Sequence, residues 1–276
     1  MERQRQGEAN DSLASSREGE GHPLVFLHGL GASREQAQAA VAAVEGVESI
    51  TIDAPAHGES AASTVPLNFG AFARAVVDLL DGFDIGTAIF GGISMGAGIS
   101  LRIARDFPDR VSALVLVRPA WTNEAARPHL DIVADIGEWV TSQGVDVARK
   151  LLSSDERYQL MVECEPLAAA SVANAIDGVA KTGRPEVLPA MVDSAPVDDL
   201  CELADVGQPA VVISTEHDRL HPVPIAEAVA AALPNATSLL APPRYLEPEA
   251  HQDFLTHAIN SFISAVHSRE VRTTGD

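Results

Sequence analysis

The 276-residue chain has no run of eighteen consecutive apolar residues, so a membrane-crossing helix is not expected. The opening residues, MERQRQGEANDSLASSREGE, lack the basic-then-apolar order of a secretory leader. A cytoplasmic protein is therefore expected. Cysteine is scarce: Cys164 and Cys201 are the only two, and neither lies in a CxxC pair or a Cys/His cluster. That excludes a disulfide framework and gives no zinc-ligand spacing, so both read as buried bystanders and no metal or cofactor is expected. Basic residues are also few, 19 against 39 acidic ones, for a formal net charge of −20. Such a field repels nucleic acid and anionic membrane surfaces, and it disfavours a strongly anionic substrate unless a local basic residue offsets it. The partner expected is a small-molecule substrate; the oligomeric state is left open.

What is present is apolar residue, 46% of the chain, enough for one large core. Residues 1–20 read as a disordered arm, polar and without periodicity. After them, short apolar runs alternate with longer helical patterns. Pro23–Leu27, Ser49–Ile52, Ala88–Phe90, Ala113–Val117 and Ala210–Ile213 read as buried parallel strands, with Thr237–Leu240 a weaker sixth. Helical stretches such as Phe69–Leu80, Ala97–Asp106 and Pro224–Ala232 lie between them. The alternation predicts an α/β fold with a doubly wound, mostly parallel sheet. From residue 120 to 203 strand signals vanish and amphipathic pieces take over at Leu130–Thr141, Val145–Leu152, Pro166–Ala180 and Pro185–Val192. This stretch reads as a helical cap inserted into a core formed by residues 21–119 and 204–270.

Two glycine-rich loops carry the chemistry. Gly92-Ile93-Ser94-Met95-Gly96 is a G-x-S-x-G sequence directly after a strand and directly before a helix, the setting in which a serine nucleophile stands on a sharp turn with small neighbours. Leu27-His28-Gly29-Leu30-Gly31-Ala32-Ser33 follows the first strand. In acyl transfer, such a loop donates one backbone N–H to the oxyanion and the residue after the nucleophile donates the other. Leu30 and Met95 are the candidate donors. A further loop, Asp53-Ala54-Pro55-Ala56-His57-Gly58-Glu59-Ser60, follows the next strand.

With HGLGAS, DAPAHGES and GISMGAG in this order and spacing, the chain resembles the α/β-hydrolase superfamily, in particular its capped esterase, lactonase and haloperoxidase-like members. The likeness continues through Arg110–Val117 and resumes at Val211–Pro222. The resemblance implies an α/β-hydrolase fold, Ser94 as nucleophile, His28 and His57 in structural loops, and Asp218, in Ser214-Thr215-Glu216-His217-Asp218, as the acid, with Glu216 as its neighbour and competitor. Members of the family place the catalytic histidine in the loop straight after the last strand. Here that loop reads Pro242-Pro243-Arg244-Tyr245-Leu246-Glu247, without one.

The next histidines lie on the last helix, Pro248–Val266. At about 100° per residue, His251 falls roughly 40° from the centre of the stripe Leu255, Ile259, Phe262 and Val266, whereas His257 falls roughly 160° away and should meet solvent. His251 is the expected base on direction; His221, three residues after Asp218, and an incomplete triad are the alternatives. Trp121, Trp139, Met161 and Arg118 are candidate substrate contacts in or beside the insertion, which points to a small or medium apolar carbonyl substrate, unless Arg118 positions an anion. Three readings stay open: a serine esterase or lactonase, a cofactor-free cyclase, lyase or perhydrolase-like enzyme with a degraded triad, and a non-catalytic binding protein.

Overall fold

The computed structural model describes residues 13–124 and 127–273. Its sheet has seven strands, β1 (Ser15–Gly19), β2 (His22–Leu27), β3 (Val47–Ile52), β4 (Ala88–Ile93), β5 (Val111–Val117), β6 (Ala210–Thr215) and β7 (Ala236–Ala241), in the spatial order β1-β3-β2-β4-β5-β6-β7. All neighbours pair in parallel except β1, which runs antiparallel to β3. The six predicted strands are β2 to β7. The interior strands read as apolar runs because both faces of the sheet are covered there, while β7, at the edge, is largely exposed. Leu24 and Phe26 of β2 pack with α1 (Arg34–Val41) and α10 (Pro248–Thr273) on one face. Val25 and Leu27 pack on the other with α2 (Phe69–Asp81), α3 (Met95–Asp106) and α9 (Val223–Ala232).

Strand β1 corrects part of the expected disordered arm. Ser-Ser-Arg-Glu-Gly has no apolar alternation because it forms a sheet edge whose side chains are largely solvated, and it is held by the ladder from Ser15↔Ile52 to Gly19↔Glu48. The first twelve residues of that arm lie outside the described residues. Both cysteines are exposed rather than buried. Cys164 ends a helix whose one buried residue is Met161, and Cys201 sits in a short 3₁₀ turn at the surface.

Between β5 and β6 the chain forms α4 (Asp131–Gln143), α5 (Val145–Ser154), α6 (Glu156–Cys164), α7 (Pro166–Thr182) and α8 (Val187–Asp193). Helix α7 lies against the loop after β2. A Cβ on Gly178 would overlap the carbonyl oxygen of Gly31, and a Cβ on Gly31, which has φ +74°, would meet Ala175 at 3.4 Å. Among the described residues, no helix is long and apolar enough to cross a membrane.

The strand order reverses direction between β2 and β4: β2 leads outward to β3, β4 to β5, and their helices α1 and α3 lie on opposite faces. The loops at the carboxyl ends of β2 and β4 diverge there and leave a crevice, the usual ligand position in open parallel sheets. Ser94 stands at that point.

Candidate active site

Ser94 joins β4 to α3 with φ 57° and ψ −110°, a conformation that L-residues rarely adopt. Its own N–H donates to Val117 O at 2.9 Å, which anchors the turn to β5. The flanking glycines are required by close backbone approach. A Cβ on Gly92 would come within 2.6 Å of both Leu27 O and the Gly96 carbonyl carbon, and one on Gly96 would overlap Leu27 O. The turn thus presses the first turn of α3 onto β2 and leaves the Ser94 side chain at the wall of a small cavity of about 70 Å³. The first N–H groups of a helix have no intrahelical acceptor, so that of Met95 at the start of α3 suits developing negative charge. Leu30 lines the cavity from the loop after β2.

His28 and His57 hold that loop in place. Nδ1 of His28 lies 2.8 Å from Gly29 O while its Nε2 accepts from Ala54 N–H at 3.0 Å. Nδ1 of His57 lies 2.9 Å from Pro55 O while its Nε2 accepts from Gly31 N–H at 3.1 Å. Each ring is thereby fixed as the neutral Nδ1–H tautomer and ties the β2 and β3 loops together. Burial pushes the His28 ring down to about 4 and, with repulsion from His28, the His57 ring to about 3. With both nitrogens of each ring engaged, neither is placed to take a proton from Ser94.

At the end of β6, Asp218 is buried and Glu216 exposed, which separates the two candidate acids. Asp218 Oδ2 lies 3.1 Å from Arg118 Nη1 and 2.9 Å from His221 Nδ1. The histidine contact is close but off the axis of a good hydrogen bond. Burial alone would raise the Asp218 carboxyl, yet the His221 ring and the Arg118 guanidinium more than offset it, and the group is held well below the usual carboxylate range. Burial lowers His221 against the opposing pull of Asp218, leaving a neutral imidazole beside an ionised carboxylate. His221, Arg118 and Ser94 line the same cavity.

His251 faces the protein body and His257 faces solvent, as helix direction predicts. Nδ1 of His251 is engaged at 2.8 Å by Pro242 O, its Nε2 is buried without a partner, and burial pushes the ring down to about 4. His251 lines a neighbouring groove of about 540 Å³ that meets the Ser94 cavity along Leu30, Gln36, Arg244 and Tyr245. Asp218 contacts His221, and neither His221 nor His251 hydrogen-bonds the Ser94 hydroxyl.

Of the four expected substrate contacts, Trp121 and Arg118 line the Ser94 cavity. Trp121 is fixed by an Nε1–H bond to Met191 O at 3.0 Å and an edge-on contact with Phe69. Met161 is buried and Trp139 is partly buried against the core, and neither lines the cavity wall. Sequence reasoning missed Arg244 and Tyr245, which stand where a histidine was sought. The available signal was a charged residue directly after the paired prolines that follow the last strand, at the rim where the other loops converge.

An alpha/beta hydrolase fold family model matches residues 22–245. Among curated proteins, the chain is 31% identical over 115 residues to a poly(3-hydroxyalkanoate) depolymerase of Ectopseudomonas oleovorans, 40% of this chain and 41% of that protein. The chain spans between 29% and 59% of the length of four curated relatives that it matches. Among solved structures, a thermophilic esterase from Thermogutta terrifontis superposes with a TM-score of 0.72 at 21% identity, covering 92% of this chain and 94% of the other. The enol-lactonase of Burkholderia xenovorans LB400 gives 0.72 at 22% identity, covering 91% and 96%. The family model covers most of the chain, and the protein belongs to the alpha/beta hydrolase fold family.

Proposed function

We propose that the protein is a serine hydrolase that cleaves a small ester or lactone through an acyl-enzyme, with Ser94 as nucleophile, His221 as general base and Asp218 as the acid that orients it. The observation that carries this reading is the shared cavity: strained Ser94 and neutral His221 line one wall, and His221 Nδ1 lies 2.9 Å from buried, ionised Asp218. In the first step Ser94 Oγ bonds to the substrate carbonyl carbon while its proton passes to His221 Nε2, and Asp218 stabilises the imidazolium through Nδ1. The N–H groups of Leu30 and Met95 receive the oxyanion. Collapse breaks the ester C–O bond and the alcohol leaves with the proton from His221. Water, deprotonated by the same ring, then releases the acid and restores Ser94. The Ser94–His221 contact is expected to form as substrate binds. Residues 120–203 act as the cap that closes the chamber and excludes water, which strengthens the oxyanion interaction. A short acyl group suits the small cavity, with the rest of the substrate extending into the groove.

His251 lacks both supports: no carboxylate orients it and it lines the groove, not the cavity. Turnover of a short-chain ester by the wild type, Ser94→Ala, His221→Ala and His251→Ala tests the assignment. Ser94→Ala and His221→Ala are each expected to lose at least about a thousandfold in kcat with folding intact, and His251→Ala to stay within a few-fold. A crippled His251→Ala beside an active His221→Ala would move the base to the last helix.

A further inference from the structure

The Ser94 cavity carries an uncompensated positive charge. Arg118 and Arg244 both line it, and no acidic side chain does. The one carboxylate behind that wall, Asp218, is paired with Arg118 at 3.1 Å and with His221. Charge bookkeeping leaves Arg244 over: Arg118 and Asp218 cancel, and His221 is neutral. Among the described residues Arg244 forms no ion pair; its recorded side-chain contact is a loose stacking over Tyr245, 5.5 Å from the ring centre. Burial and the nearby Arg118 charge make its positive form costly and depress it from its ordinary value, yet a guanidinium remains protonated in a protein. The Nε of Arg118 is also buried without a partner. In a chain of formal net charge −20, Arg244 beside a nucleophile is a local exception that structural pairing does not explain.

We infer that the natural substrate bears a carboxylate, bound by Arg244 at the junction of cavity and groove while its ester or lactone carbonyl meets Ser94. This rests on the hydrolase reading and specifies its substrate class. One surplus charge matches a monoanion, and the planar guanidinium fork matches a carboxylate through two parallel N–H···O bonds. Arg244 lines both the cavity and the groove, so the anionic group would sit a short chain away from the reacting carbonyl. Short monoesters of dicarboxylic acids and lactones carrying a free carboxylate have this form.

Calorimetry on the Ser94→Ala protein tests the inference without chemistry. Three ligands of nearly equal size are compared: monomethyl glutarate, its neutral amide methyl glutaramate, and dimethyl glutarate. The monoanion is expected to bind at least about tenfold more tightly than either neutral ligand, a difference that Arg244→Gln in the same background abolishes. Because the ligand comparison needs no arginine variant, it stands even if Arg244→Gln fails to fold. Equal affinity for the three ligands, no binding of any, or a preference that survives Arg244→Gln would overturn the proposal. Hydrolysis of neutral esters by the wild type without this preference would sink the carboxylate inference and leave the hydrolase reading intact. Absence of hydrolysis with the preference present would do the reverse.

Discussion

At the level of single residues, the site was legible where a side chain's role depends on its immediate neighbours along the chain. G-x-S-x-G needs only a strand before and a helix after, and both were visible in the pattern. Asp218 ranks above Glu216 through its match to the family's acid position, and in the fold the loop after β6 buries Asp218 and exposes Glu216. The histidine was not legible in this way. Helical periodicity states which face a residue is on, and it correctly turned His251 inward and His257 outward. Facing the body is weaker than facing the serine, because the distance across a crevice depends on how separate elements are packed. The buried rings also set an acid sensitivity. His28 and His57 are held near 4 and 3 when folded, against about 6.5 in an unfolded chain. Between those values the unfolded state binds the extra protons, so stability is full above about pH 6.5 and falls as pH drops, by up to about 1.4 kcal/mol per pH unit for each ring. The two rings lie 5.0 Å apart, so charging one opposes charging the other. Melting temperature measured from pH 7 to pH 4.5 should decline steadily in this window, above the range where carboxylates titrate; a flat profile would contradict the neutral-ring assignment.

Among the elements, the interior strands were readable because burial on both faces writes them as apolar runs; β7, a half-exposed edge, gave a weaker signal, and β1 gave none, since an edge strand of Ser, Arg and Glu leaves no hydrophobic trace. Helix α6 was missed because its apolar residues Leu160, Met161 and Val162 are consecutive and only Met161 is buried, so no helical period shows. The contact between α7 and the loop after β2 was likewise invisible, because it depends on a residue with no side chain. Gly178 lets α7 approach Gly31 backbone to side, and that loop carries the Leu30 N–H and is pinned by His57. Gly178→Val should therefore do more than lower stability. By wedging α7 away it should widen the chamber and lower kcat/KM by at least about tenfold, with ester KM rising, while the sheet still melts cooperatively. Wild-type kinetics in a variant that has lost only thermal stability would show that the helix does not position the loop.

On the scale of the whole molecule, the strand order places the ends of β2, β4, β5, β6 and β7 around one crevice, and each contributes: the Leu30 loop, Ser94, Arg118, Asp218 with His221, and Arg244. The formal charge of −20 disfavours a strongly anionic ligand only where no local basic residue offsets it, because net charge reports the surface field and says nothing about which few side chains point inward. The central claim is that Ser94 is an activated nucleophile in an intact chamber. Intact-mass analysis after treatment with a fluorophosphonate tests it most directly, since stoichiometric phosphonylation requires the base and the oxyanion donors as well as the serine. One adduct per chain, mapped to Ser94 and lost in both Ser94→Ala and His221→Ala, is the expected result; an unlabelled, folded wild-type protein would contradict it.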